Sequence, residues 1–288
     1  MLLAACHAQS FAPGRTSPRL VETHLTPSQI QEVLNTLQQH DDWYFIPMLT
    51  ESDADLSRYS EDVKRQLAKI GSFIYGPSTI YSHQCPLYAS VENATKKHHD
   101  NMKTVMEERF GWLLDHIRQV LAEAVAPDPV EWISYPYFKM HRGDSLDNLP
   151  DYFQKMALQP APPHRDQQFT TYVEKELQPN AATLTFTLPF QVPSGGAGLR
   201  VFDAFFDKKS GTLVNQEGKQ LPYTGKAYKK LVETMSYEDV TYLPGRMLLF
   251  TGDQLHSVSP YKNPISSDRR IVLQGHGIFQ NNQWWLFG

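Results

Sequence analysis

Two residues in the stretch PAPPHRDQQF have the types and the spacing to hold a metal, His164 and Asp166. In an extended strand, side chains two apart point to the same face. An imidazole and a carboxylate would then aim into one space, with Arg165 aimed away. Together with a second histidine they would form the 2-His-1-carboxylate arrangement that holds Fe(II) on one face and leaves positions open for chemistry. A His-x-Asp pair arises often by chance, so the third ligand decides.

That ligand is expected to be His256, in PGRMLLFTGDQLHSVSPY. An apolar strand, residues 247–250, runs into a Gly-Asp turn, and the histidine follows it. The chain between His164 and His256 is long enough for several strands. Further on, in SSDRRIVLQGHG, an arginine opens another apolar strand. A guanidinium there can grip a carboxylate through two parallel hydrogen bonds. Arg269 and Arg270 would face opposite sides of that strand.

Other polar residues invite plainer readings. His98, His99 and Asp100 fit a solvated helix face, as do Lys226, Lys229 and Lys230. His141 fits a strand end near the site, with substrate contact as the alternative, and His276 could line the pocket. Gly195, Gly196 and Gly198 lack the strand–loop–helix setting of a phosphate loop, so a turn is expected. The terminal WWLFG reads as core or interface.

The elements that must position these residues fall into two textures. The first part reads as helical. Thr26 is placed as an N-cap, with Pro27 at the first helical position and Gln29 completing a capping box. A weaker helix is expected within residues 51–71, stopped by Gly71. A long one is expected over residues 94–126, with Met102, Val105, Met106, Phe110, Leu113, Leu114, Ile117, Val120 and Leu121 on one face. It should stop before Pro127 and Pro129.

Beyond Pro129 the segments are short, rich in Val, Ile, Thr, Tyr and Phe, and separated by Gly and Pro. That is the rhythm of an antiparallel sandwich or jelly roll. We expect one α+β domain over residues 1–288, mainly helical over 1–128 and a jelly-roll core over 129–288. The helices should pack on one outer face of the β-core. Part of a polar insertion, residues 207–239, is expected to form a lid or wall over the substrate.

Composition excludes several classes. The 288 residues carry a formal charge of −4, which argues against a nucleic-acid partner. With 41% hydrophobic and 20% charged residues the chain can bury a core and is not a disordered tail. No apolar run reaches the roughly 18–20 residues of a membrane span. Two cysteines, Cys6 and Cys85, make no disulfide framework, although a single bridge between them is open. A cytoplasmic setting and a monomer or homodimer are expected.

Five segments, in order, resemble the Fe(II)/2-oxoglutarate-dependent oxygenases, in particular their prolyl-4-hydroxylase-like branch. They are YPYFKMHRGDSL, PHRD, TLTFTLPFQVPSGGAGLRVFD, LPGRMLLFTGDQLHSVSP and RRIVLQGHG, covering residues 131–277. The resemblance implies a double-stranded β-helix (jelly roll, cupin-like) with His164, Asp166 and His256 on iron. It implies that Arg270, rather than Arg269, pairs with the far carboxylate of 2-oxoglutarate. A hydroxyl partner for that carboxylate would come from Thr185, Thr187, Tyr135 or Tyr137. Gln168, on the Asp166 face, would reach substrate, as would Tyr135, His141 or His276.

The reaction implied is O2-dependent oxidation of an unactivated C–H bond, with succinate and CO2 released. Ascorbate is expected to help in vitro. An intact Asp166 favours hydroxylation, desaturation or oxidative cyclisation over halogenation. The substrate expected is a small molecule, an amino acid or a biosynthetic intermediate. A residue of a protein or peptide is the second reading, and a binding protein without catalysis the third.

Overall fold

The computed structural model describes residues 18–40, 43–47, 60–67, 71–76, 92–142, 161, 163–166, 181–196, 198–260 and 267–288. In chain order the elements are β1 (Arg19–Glu22), α1 (Pro27–Gln39), β2 (Tyr44–Pro47), α2 (Glu61–Leu67), β3 (Gly71–Tyr75) and α3 (Glu92–Ala124). There follow β4 (Val130–Trp132), β5 (Tyr137–Arg142), β6 (Thr183–Gln191), β7 (Gly198–Asp207), β8 (Thr212–Val214) and β9 (Gln220–Leu221). The chain closes with α4 (Gly225–Thr234), β10 (Tyr237–Thr241), β11 (Arg246–Phe250), β12 (Gln254–Val258), β13 (Arg269–Gln280) and β14 (Gln283–Phe287).

The strands form two facing sheets, a jelly-roll core, with α1 and α3 on the outer side of the large sheet and α4 on the outer side of the small one. The nine-stranded sheet runs β1-β11-β6-β13-β5-β3-β2, with β14 and β4 continuing beside β13. The five-stranded sheet runs β10-β7-β8-β9, with β12 on the other edge of β7. All strand pairs are antiparallel except β14 with β4.

Burial follows from this layering. Eight of the nine residues of β6 are buried, because both faces of that strand are covered. One face carries Leu184, Phe186 and Leu188, which pack with Phe138, Met140, Leu249 and Leu273 under the helices. The other face looks at the small sheet, where Leu248, Phe250 and Val272 meet Leu199, Val201 and Tyr242. Burying side chains of this size stabilises by about 1.5–3 kcal/mol each.

The helices form where their end signals lie. Thr26 caps α1, its hydroxyl accepting from the Gln29 amide while the Gln29 side chain accepts from the Thr26 amide. The apolar stripe of α3 from Met102 to Leu121 is buried against the large sheet. Phe110 stands 4.8 Å from Phe138 and 5.9 Å from Tyr75, so the helix grips β5 and β3 through aromatic edges. Of the second helix only Glu61–Leu67 is described. The terminal aromatic segment is β14, with Trp284 and Phe287 buried.

Two expectations are corrected. The first part of the chain is not simply helical: β1, β2 and β3 extend the large sheet at both edges. Each is only four or five residues long, and its stability comes from a partner strand far away in sequence. Within the insertion, α4 does not cover the cavity. Its residues Tyr228 and Val232 pack with Phe202, Ala204 and Leu213, on the outer face of the small sheet. Cys6 and Cys85 lie outside the described residues.

Candidate metal centre

The ladder between the metal-ligand candidates is built by backbone pairing. The His164 amide donates to the His256 carbonyl at 2.8 Å, and the His256 amide returns a bond to the His164 carbonyl at 2.9 Å. This antiparallel bridge sets the rings side by side, with centroids 4.4 Å apart. The Asp166 amide donates to the Gly252 carbonyl at 3.0 Å, which ties the carboxylate's residue to the turn before β12.

Their side chains converge. His164 Nε2 lies 3.8 Å and His256 Nε2 3.6 Å from Oδ1 of Asp166. One donor atom from each of the three lies within 4.8 Å of the others. Oδ1 is buried and has no hydrogen-bond partner among the described residues. A buried carboxylate oxygen left so, facing two imidazole nitrogens, fits a divalent metal. Asp166 and His256 are buried, whereas 39% of the His164 side chain is exposed, so the site opens on the His164 side.

The second layer fixes the ligands. His256 Nδ1 lies 2.8 Å from the Gln254 carbonyl, which must accept, so Nδ1 carries a proton and Nε2, on the Asp166 side, is the nitrogen that could ligate a metal. Thr185 donates to Oδ2 of Asp166 at 2.6 Å. Its only proton is then used, so the His276 Nδ1, 3.2 Å away, donates to Thr185 Oγ1.

Charge follows the geometry. Burial alone would raise the pKa of Asp166, but His256, His276 and His164 together hold it well below the usual carboxylate range. Burial opposes a charge on His256, yet the field of the Asp166 carboxylate, helped by the bond to the Gln254 carbonyl, outweighs it and the net shift is upward. For His276 burial wins, and its pKa is lowered despite Asp166.

Strand register decides which residues share the cavity. Opposite β13, the residues His141, Lys139 and Tyr137 of β5 pair with Arg270, Val272 and Gln274. On the other side Thr187 and Thr185 of β6 pair with Gln274 and His276. All of these stand on the inner face, and Arg270 is buried on it while Arg269 turns out, donating to the Asp268 carbonyl. Arg270 Nη2 donates to the Tyr242 hydroxyl at 3.3 Å, while Nε and Nη1 are buried with no partner among the described residues.

Several sequence expectations change here. Thr185 was a candidate for the far carboxylate, but the register places it at the level of His276, on Asp166 itself. Tyr135 is not in the cavity: its hydroxyl bonds Glu107 of α3, because it precedes the strand and lies on the helical side. His276 is completely buried behind Thr185 and does not line an open pocket. His141 sits beside Arg270, with Nδ1 3.3 Å from Ser72 Oγ, away from the metal ligands. Tyr137 and Thr187 are buried on the inner face beside Gln274. Gln168 lies outside the described residues.

Arg165 points outward, as alternation requires. Its guanidinium carbon is 3.3 Å from the Phe206 ring centroid, and Tyr228 of α4 donates to the Pro163 carbonyl at 3.1 Å. The insertion thus braces the metal strand from behind. Two cavity residues were not singled out in the sequence, Tyr242 and Lys139. The signal for Lys139 was present in YFKMHR, where Tyr137, Lys139 and His141 alternate with Phe138 and Met140. Tyr242 carries no local signal beyond its place before the Pro-Gly turn.

No protein-family model and no curated protein matches the chain. Among solved structures it is similar to an N-substituted L-amino acid dioxygenase from Burkholderia ambifaria AMMD, at 15% identity and TM-score 0.37, over 66% of this chain and 72% of that one. It is similar to the non-heme alpha-ketoglutarate-dependent epimerase SnoN from nogalamycin biosynthesis, at 11% identity and TM-score 0.43, over 91% and 77%. It is also similar to a Pseudomonas putida prolyl-4-hydroxylase, at 10% identity and TM-score 0.33, over 92% of each chain. With His164, Asp166, His256 and Arg270 on one jelly-roll framework, the chain resembles the Fe(II)/2-oxoglutarate-dependent oxygenases.

Proposed function

We propose that the protein is an Fe(II)- and 2-oxoglutarate-dependent oxygenase that oxidises an unactivated C–H bond of a small molecule by hydroxylation, desaturation or oxidative cyclisation. The observation that carries this reading is the orphaned Oδ1 of Asp166 between two imidazoles, on a framework shared with buried Arg270, whose Nε and Nη1 have no partner among the described residues.

His164, Asp166 and His256 would hold the iron, and Arg270 would take the far carboxylate of 2-oxoglutarate. The bound iron, with 2-oxoglutarate and O2, supplies the oxidising chemistry and releases succinate and CO2. The chain's own part is placement. Thr185 and His276 hold Asp166 with one oxygen turned to the ligand histidines. Tyr242 steadies the Arg270 guanidinium and can donate its own hydroxyl proton to the same carboxylate. The apolar wall of Leu248, Phe250, Val272 and Val201 keeps water from the inner side.

The test is succinate production by protein given Fe(II), ascorbate, O2 and 2-oxoglutarate, with a panel of amino acids and related acids as substrates. His256→Ala should abolish it. Succinate that forms equally well in the His256→Ala protein would refute the proposal.

A further inference from the structure

Lys139 of β5 has no hydrogen bond and no ion pair among the described residues, yet it stands on the inner face of the large sheet. Its cross-strand neighbours are Val272 on one side and Ile74 on the other, both buried and unable to pair with it. The charges acting on it are Arg270 and Asp166, and its own charge reaches His256 and His276. By register the side chain leaves β5 between the Arg270–His141 and Gln274–Tyr137 pairs, on the face those residues share. It is partly exposed, unlike its buried neighbours Phe138 and Met140.

The charges of the site show what this lysine lacks. Asp166 brings one negative charge and Arg270 one positive. A divalent metal brings two positive charges and 2-oxoglutarate two negative, so these four cancel. Arg270 already has the Tyr242 hydroxyl beside it and free N–H groups for the far carboxylate. Lys139 adds a positive charge that nothing in this set neutralises. An unpaired charge in a mostly desolvated place is costly, and a ligand anion removes that cost.

Resting on the oxygenase reading, we infer that Lys139 binds a carboxylate of the substrate, so that the substrate is an acid. Burial, followed by the field of Arg270, lowers the lysine's pKa to about 8, which leaves it charged at neutral pH and in want of a counter-ion. The substrate carboxylate would sit beside the metal on the β5 side, and the reacting carbon would be close to that acid group.

The experiment uses the full chain loaded with Mn(II) and saturated with 2-oxoglutarate under argon. Calorimetry then measures binding of matched acid and amide probes: hexanoate with hexanamide, N-acetyl-L-leucine with its amide, L-proline with L-prolinamide. The wild type should prefer at least one acid to its amide by about tenfold or more. Lys139→Met should erase that preference and Lys139→Arg should keep most of it. In both variants 2-oxoglutarate affinity should stay within about threefold, with unchanged circular dichroism.

A preference that survives Lys139→Met overturns the inference, as does a wild type with no acid preference. A tenfold loss of 2-oxoglutarate affinity in Lys139→Met also overturns it, by assigning the lysine to the cosubstrate. Failure of the wild type to bind 2-oxoglutarate at all would instead strike the oxygenase reading.

Discussion

The hydroxyl of Thr185 lies 2.6 Å from Oδ2 of Asp166 and 3.2 Å from Nδ1 of His276. One proton cannot serve both neighbours, so the chain runs from imidazole to hydroxyl to carboxylate and leaves Oδ1 for a metal. Thr185→Val should lower Mn(II) affinity by about 10–100-fold, the usual cost of losing an outer-shell partner. Thr185→Ser should restore most of it. Metal titration followed by protein fluorescence reads both, and equal affinity of wild type and Thr185→Val would rule the relay out.

Metal binding should weaken in acid. Asp166 raises the pKa of His256 above its usual value despite burial, so the metal-free protein tends to hold a proton there that a metal must displace. Below that raised pKa, each pH unit should cost up to about tenfold in apparent affinity. Mn(II) titrations at several pH values between 6 and 8 test this. A flat profile would mean that no ligand protonates in that range.

Arg270 and Arg269 are adjacent but face opposite ways. Arg270→Leu should weaken 2-oxoglutarate binding by about 2–5 kcal/mol, the range for truncating one partner of a buried charge pair. Tyr242→Phe should cost about 1 kcal/mol. Arg269→Leu should cost almost nothing, since its Nη1 serves the Asp268 carbonyl on the other face. Calorimetry with Mn(II)-loaded protein gives all three values, and a larger loss at Arg269 would shift the strand's register by one.

Gly275 holds the strand behind His276 close to β6. A Cβ there would lie 2.4 Å from Cζ of Phe186, a buried ring in the helix-facing core. Gly275→Ala should destabilise the protein by about 1–3 kcal/mol through overpacking. Adding Phe186→Leu should recover part of the loss. Thermal unfolding of the single and double variants tests this, and additive losses would show that the two residues do not meet.

Acid-probe binding should fade in base. Lys139 has its pKa lowered to about 8, so the ammonium is charged below that pH and increasingly neutral above it. Affinity for a preferred acid should be level below about pH 8 and fall above it, while the matched amide stays level. Parallel decline of acid and amide would point to another titrating group.

Much of this protein was determined locally. Thr26, Pro27 and Gln29 mark the start of α1 because capping bonds join residues three apart. The stripe along α3 repeats within one element, so its buried face was legible. His164 and Asp166 share a face because alternation is a property of a single strand. The short strands and Pro-Gly turns after Pro129 conveyed the jelly roll, and His256 and Arg270 stood out at the ends of apolar runs.

Tertiary structure decided what depends on pairing between distant strands. Alternation separates Arg269 from Arg270 but does not say which face is inward; the register Arg270 opposite His141 does. Thr185 and Thr187 are equivalent in sequence, and only the pairing of Thr185 with His276 sets the first on Asp166. The strands β1, β2 and β3 are too short to declare themselves without partners. Tyr242 beside Arg270, and Lys139 opposite Val272 on the face of Arg270, are relationships across paired strands and facing sheets. They follow from backbone hydrogen bonds between residues far apart in sequence, which no local pattern encodes.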